Sequence, residues 1–257
     1  NSINTSNKIT LSHDGTNGTL DSTNATLFRG GGAERARLTS AGDFGIGNDS
    51  PNCKLAVKDT AEHTAYANET PSVGSCMLQL YNNPANETAL DHATMQFGIN
   101  GGTHNRVNTI SAVAESASNR KLAFTFCTDS GSNRNERMRI TGDGQLLVGH
   151  TSVIDHNTWD PAIEVAGLDA NGSSIGLTRF GNNASAPTFL FGKSRNGAKG
   201  IHTVVADDDV LGNIAFIGSD GTDFAEAGWI RCRVDGAPGN NDMPGALLFG
   251  TSADGSQ

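Results

Sequence analysis

The 257-residue chain is poor in charge, in cysteine and in large aromatic side chains. Charged residues make up 18% of it, against a usual share of about 25%. Acidic residues outnumber basic ones, 27 to 18, giving a formal net charge of −9. With no Lys/Arg cluster to offset that sign, nucleic acid and anionic lipid are not expected as partners. No apolar run approaches the roughly 18 residues of a spanning helix, so membrane insertion is not expected either. The sequence has no initiator Met and no basic-then-apolar leader, and reads as an internal piece of a longer polypeptide.

Cys53, Cys76, Cys127 and Cys232 are widely scattered, none in a Cys-x-x-Cys pair or beside a ligand-spaced His. Cys76, Cys127 and Cys232 fall in apolar, strand-like runs and are expected to be small buried free thiols. The seven histidines form no His-x-His or His-Glu-x-x-His motif, and no EF-hand spacing is present. The Gly30-Gly31-Gly32 and Gly101-Gly102 clusters lack a following helix, and no Gly-x-Ser-x-Gly elbow occurs. No metal, cofactor or catalytic group is therefore expected.

What the chain does have is glycine, with Asn, Ser and Thr. Apolar residues other than glycine amount to 36%, and 32 glycines lift the share to about 48%, an ordinary value reached with a residue that fills no core. Gly and Asn tolerate the left-handed backbone of tight turns, so the expected class is all-β. Strand candidates are Cys76–Asn82, Ala93–Asn100, Val107–Glu115, Lys121–Thr128, Ser174–Phe180, Thr188–Lys193, Gly212–Ser219, Gly228–Val234 and Ala246–Thr251. Met95, Phe97 and Ile99 share a face by alternation, as do Leu122, Phe124 and Phe126.

Self-comparison reveals a repeat. Glu34-Arg35-Ala36-Arg37-Leu38-Thr39-Ser40-Ala41-Gly42-Asp43-Phe44-Gly45-Ile46-Gly47 returns as Glu136-Arg137-Met138-Arg139-Ile140-Thr141-Gly142-Asp143-Gly144-Gln145-Leu146-Leu147-Val148-Gly149. Each copy then reaches a short strand, Cys53–Val57 or Ala162–Val165. Leu122–Asp129 precedes the second copy as Leu247–Asp254 ends the sequence, so a third copy is expected beyond Gln257. One such unit has too few apolar side chains to close a core, and its short strands leave edges unpaired. Winding three chains together removes both problems. The expected divisions are a shaft segment at 1–33, collars at 34–60 and 136–167, and β-sandwich or jelly-roll modules at 61–135 and 168–257. Glu34, Arg35, Arg37, Glu136, Arg137 and Arg139 are the candidates for interchain ion pairs that set register, each adding at most about 1 kcal/mol.

These runs resemble those of tailed-phage tail fibres, especially marine ones. Such proteins carry Glu-Arg-Met-Arg-Ile, then Gly-x-Val/Leu-x-Val-Gly, then Ser-Pro and a Lys-Leu-x-Val strand; Glu136–Gly149 matches the first part, and Glu34–Val57, with Ser50-Pro51, the longer pattern. Val234-Asp235-Gly236-Ala237-Pro238-Gly239 with Asp242-Met243-Pro244-Gly245 resembles a loop before a final strand in these fibres. The resemblance implies an elongated homotrimer of alternating collars and modules, at the virion surface, assembled in the bacterial cytoplasm and joined to other virion proteins. Full-length relatives frequently end in a self-cleaving chaperone that drives trimerisation, and nothing here is similar to it. The second copy departs from the pattern at Thr151-Ser152-Val153, where a longer loop runs through His156 and Trp159, either a local elaboration with its own contacts or a drifted linker.

Two features bear on host contact. Sugar-binding surfaces offer exposed aromatic rings, and the chain has two Trp and two Tyr. Trp159, in a polar loop, and Tyr81, before Asn82-Asn83-Pro84, are the candidate glycan contacts, whereas Trp229 reads as core. Asp207-Asp208-Asp209 is the one acidic run. A depolymerase needs two carboxylates roughly 5–10 Å apart, one with a raised pKa; three adjacent Asp before a strand read better as a turn. The expected function is thus a shaft or spacer in a trimeric fibre that contacts host polysaccharide. The alternatives are a carbohydrate-binding adhesin, a depolymerase tailspike or a bacterial surface filament.

Overall fold

The computed structural model describes residues 9–13, 18–22, 24–58, 80, 82, 88–101, 104–131, 133–157 and 159–255. Among them are fifteen strands and no helix. Contacts divide the chain into two units, Asn1–Tyr81 and Asn82–Gln257.

In the first unit, β1 (Ile9–His13) and β2 (Gly18–Ser22) form an antiparallel hairpin. Strands β3 (Thr26–Gly30), β4 (Ala33–Leu38), β5 (Phe44–Ile46) and β6 (Leu55–Val57) form a sheet in sequence order, its last pair parallel. In the second unit, β7 (His92–Gly101), β8 (His104–Ala114), β9 (Leu122–Asp129), β10 (Arg134–Ile140), β11 (Leu146–Val148) and β12 (Ile163–Val165) form one six-stranded sheet, again in sequence order. Strands β13 (Val210–Ser219), β14 (Phe224–Val234) and β15 (Gly245–Thr251) make an antiparallel three-stranded sheet. The sequence repeat becomes β4–β6 and β10–β12, and β9 joins the second copy to the strands before it through pairs such as Phe126↔Met138.

The copies share their hydrogen bonds. Thr39 N–H donates to the Asp43 carbonyl and Thr141 N–H to that of Gln145, both at 2.9 Å. Gly47 N–H donates to the Arg35 carbonyl at 2.8 Å, and Gly149 N–H to that of Arg137 at 3.0 Å. Lys58 N–H reaches the Ile46 carbonyl, and Ala166 N–H that of Val148. Both final glycines have left-handed backbones, with φ of 65° at Gly47 and 85° at Gly149. A Cβ there would lie 2.2 Å from the Lys58 carbonyl oxygen and 2.3 Å from that of Ala166. The parallel return strand passes too close for any side chain, which is why glycine ends each copy.

Where the copies differ, the connecting loop decides. Leu147 is fully buried in the second copy, but its counterpart is Gly45, where a Cβ would sit 2.3 Å from the Asn48 carbonyl oxygen. The short Gly47–Lys54 turn folds over that position; the longer loop after Gly149 leaves room for a leucine.

Side chains directly paired across strands lie on one face. On the six-stranded sheet, one face carries Met95, Phe97, Ile99, Leu122, Phe124, Ile140 and Ile163, all exposed. The opposite face buries Thr109, Ser111, Ala123, Thr125, Leu147 and Glu164. The four-stranded sheet likewise exposes Phe28, Leu38, Ile46 and Leu55 on one face, and the three-stranded sheet exposes Ile214, Phe216, Leu247 and Phe249. Among the described residues the buried apolar core is only Ala123, Leu147, Val205 and Val234.

Two expectations change. Ser174–Phe180 and Thr188–Lys193 form no strand and join none of the four sheets. Cys127 and Cys232 sit in β9 and β14 as unbridged, half-buried thiols, Cys232 on the open apolar face opposite Leu247 and Cys127 on the other face of its own sheet opposite Thr109, while Cys53 is exposed. Cys76 and most of Cys76–Asn82 lie outside the described residues.

Candidate functional site

The arginine-bearing strands place their charges in a way that spacing alone does not give. In a regular strand, residues three apart face opposite sides. In β4 the register shifts between Phe28 and Arg29, leaving Arg35 unpaired, and in β10 the shift between Glu136 and Met138 leaves Arg137 unpaired. Each bulge turns the glutamate onto the face of the second arginine. Arg37 then donates two hydrogen bonds to Glu34, Nη2 to Oε2 at 2.8 Å, and Arg139 donates two to Glu136, Nη2 to Oε2 at 2.9 Å. Hydrogen bonding from Arg37 holds the Glu34 carboxyl below its ordinary range. These pairs, assigned between chains from the sequence, form within one chain. Arg35 and Arg137, the bulge residues, remain exposed, with Nε donating to the Gly30 carbonyl at 3.3 Å and to Thr128 Oγ1 at 3.1 Å.

The β11–β12 loop has contacts of its own. Buried Glu164 anchors it by accepting the Ile154 N–H at 3.1 Å, with His150 Nε2 at 3.6 Å from the same oxygen. Asn157 takes a left-handed φ of 64° and donates its N–H to Asp155 Oδ1 at 2.8 Å. That turn pairs His156 with Trp159 across an isolated bridge. The His156 ring stacks on Phe224 of β14, with centroids 5.4 Å apart and planes 21° apart. Asn157 Nδ2 donates to the Phe224 carbonyl at 3.4 Å.

Between this loop and the β13–β14 turn lies a cleft of ≈ 620 Å³. Its walls include His156, Asn157, Trp159, Asp220, Asp223 and Glu226. Trp159 is about half exposed. In the turn, Asp220 accepts the N–H groups of Thr222 and Asp223 on one oxygen, both at 2.8 Å, and these bonds hold its carboxyl below the usual range. Tyr81 lies outside the described residues. Trp229 is half-buried, its ring lying over Gly250, where a Cβ would come within 2.3 Å, with the Arg231 guanidinium 4.2 Å from the ring centroid.

The acidic run is a turn at the entrance to β13. Buried Asp209 accepts Arg195 Nε at 2.7 Å, Lys193 Nζ at 2.8 Å and the Ala206 N–H at 2.9 Å. The Arg195 hydrogen bond, then that of Lys193, then the Ala206 amide hold its carboxyl far below the usual range. Asp207 caps the Gly236 N–H at 2.7 Å, and Asp208 pairs with Arg233 at 2.9 Å. A general acid needs the opposite shift.

Residues 174–193 lie in no strand or turn and show no backbone–backbone hydrogen bond among the described residues. They nonetheless carry Ile175, Leu177, Phe180, Phe189, Leu190 and Phe191 exposed, Phe180 at 95% and Leu190 at 86%. Phe191 lies over Gly212 of β13, and the Asp209 cluster fixes Lys193 and Arg195 just beyond it.

No family model and no curated protein matches the chain. Its fold resembles that of a phage tail-fibre domain. The carboxy-terminal domain of the bacteriophage T5 L-shaped tail fibre matches with a TM-score of 0.53 at 16% identity, over 75% of this chain and 83% of that one. The same domain solved with its intramolecular chaperone domain matches with a TM-score of 0.53 at 16% identity, over 75% of this chain and 58% of that one.

Proposed function

We propose that the chain is a segment of a homotrimeric phage tail fibre, of the marine type its repeats resemble, acting as shaft and spacer in host attachment. The observation that carries this reading is the open apolar face on each of three sheets, which leaves a single chain without an adequate core. Leaving such faces in water forgoes about 25 cal/mol for every Å² of apolar surface that could be covered. Three copies supply the cover: the sheet faces pack around a common axis, and the unpaired 174–193 segment finds a strand edge on a neighbour. In this arrangement the collars are the closely wound parts, and Arg35 and Arg137 are the arginines free to pair between chains.

The role is mechanical rather than catalytic. Its supports are the fibre-like fold and the commitment of Asp207, Asp208 and Asp209 to structural contacts. The partners are two further copies of the chain, neighbouring virion proteins along the fibre and host surface polysaccharide, with the protein at the outer surface of the virion. Contact with polysaccharide, and with it the adhesin reading, is supported by the cleft beside Trp159. Charging the sheet faces tests the assembly: Phe216→Asp with Phe249→Asp is expected to convert the trimer to monomer or aggregate in size-exclusion chromatography with light scattering. An unchanged trimer would count against the reading.

A further inference from the structure

We infer that the cleft between the β11–β12 loop and the β13–β14 turn is a subsite for a non-anionic pyranose, with Trp159 as its stacking ring. The inference rests on the proposed contact with host polysaccharide and names the sugar class.

Three properties of the cleft lead there. Its lining includes a half-exposed indole, Trp159, bridged to His156, whose ring stacks on Phe224. A pyranose presents a patch of C–H bonds that packs against such a ring. The volume of ≈ 620 Å³ accommodates one or two sugar rings and falls within the 300–1,000 Å³ typical of ligand clefts.

The walls carry acceptors of one sign. Asp220, Asp223 and Glu226 line the cleft, with neither Lys nor Arg among its lining residues. Asp220 uses one oxygen for the two turn amides, and Asp223 uses Oδ1 for the Phe224 N–H at 2.9 Å, so each has a second oxygen available to a hydroxyl. Glu226 is paired with Arg231 at 3.5 Å, which leaves Asp220 and Asp223 as the unpaired carboxylates of the wall. Carboxylates accept hydroxyl hydrogens and repel the carboxylate of a uronic or sialic acid at the same short range. Asn157, with its amide on the Phe224 carbonyl, adds a carbonyl oxygen that can accept as well. A neutral hexose thus finds an exposed aromatic ring and several acceptors, whereas an acidic sugar finds the like charges of Asp220 and Asp223.

The test is equilibrium binding to the full 257-residue chain by saturation-transfer NMR and calorimetry. The probes are neutral gluco-, manno- and galacto-oligosaccharides and a matched oligogalacturonate. At least one neutral oligomer should bind saturably, and the uronate about tenfold more weakly or not at all. Trp159→Ala should weaken neutral binding by about tenfold or more, and Trp159→Phe should restore part of it. Asp223→Asn should narrow the gap between neutral and acidic probes. Equal binding of both classes, a Trp159→Ala variant that binds like the parent, or no saturable binding of any neutral oligomer would overturn the inference. Light scattering on the same samples separates the two readings. An intact trimer that binds no sugar removes the subsite alone, whereas a monomeric mass removes the fibre reading beneath it.

Discussion

At the scale of single residues, glycines and bulges do what the sequence letters conceal. Gly149 is the clearest case: its left-handed φ of 85° and the Ala166 carbonyl 2.3 Å from any Cβ both exclude a side chain. Gly149→Ala should lower stability by about 2 kcal/mol or more, read as a fall in the midpoint of thermal unfolding. The repeat alignment singled out this glycine but could not say that a returning strand, rather than a simple turn, requires it. The Glu-Arg-x-Arg motif was equally visible, yet its pairing was not. A bulge reverses the face of Glu136 relative to Arg139, and strand alternation alone would have kept the two apart.

Asp209 offers a second residue-scale prediction. Its carboxyl is held low by Arg195 and Lys193, so the folded state binds its proton less readily than the unfolded chain. Its stabilising contribution is therefore fully present above the unfolded carboxylate value of about 4 and declines as pH falls below it. Asp209→Asn should reduce stability at pH 7 and flatten the loss as pH falls below about 4, measured by thermal melts from pH 7 down to about pH 2.

At the scale of elements, alternation located β7, β8, β9, β13, β14 and β15 to within a few residues, because each has a same-chain neighbour to pair with. The same reasoning marked Ser174–Phe180 and Thr188–Lys193, and there it met segments with the composition of strands but no partner. Sequence pattern reports what a segment can pair with; it does not report which chain supplies the edge. If a neighbouring copy supplies it, amides in 174–193 should exchange slowly with deuterium in the assembled protein, although one chain alone offers them no bond. Leu190→Asp should abolish that protection and weaken assembly, both readable by hydrogen-exchange mass spectrometry. The cleft was half legible. Trp159 stood out as an exposed aromatic, but its wall is a turn some sixty residues later in the chain, and only the fold brings Asp220 and Asp223 beside it.

At the scale of the whole molecule, three sheets of different length present the same imbalance. One face of each carries phenylalanine, leucine and isoleucine in the open, while the buried apolar side chains among the described residues are Ala123, Leu147, Val205 and Val234. The proposed trimer rests on this imbalance, which accords with the glycine-rich composition: little apolar volume per unit, and open faces that further copies of the chain would cover. Native mass spectrometry of the 257-residue chain tests that claim most directly. Three copies of 26.7 kDa, a single species near about 80 kDa, are expected. A folded, soluble species of 26.7 kDa would contradict the account.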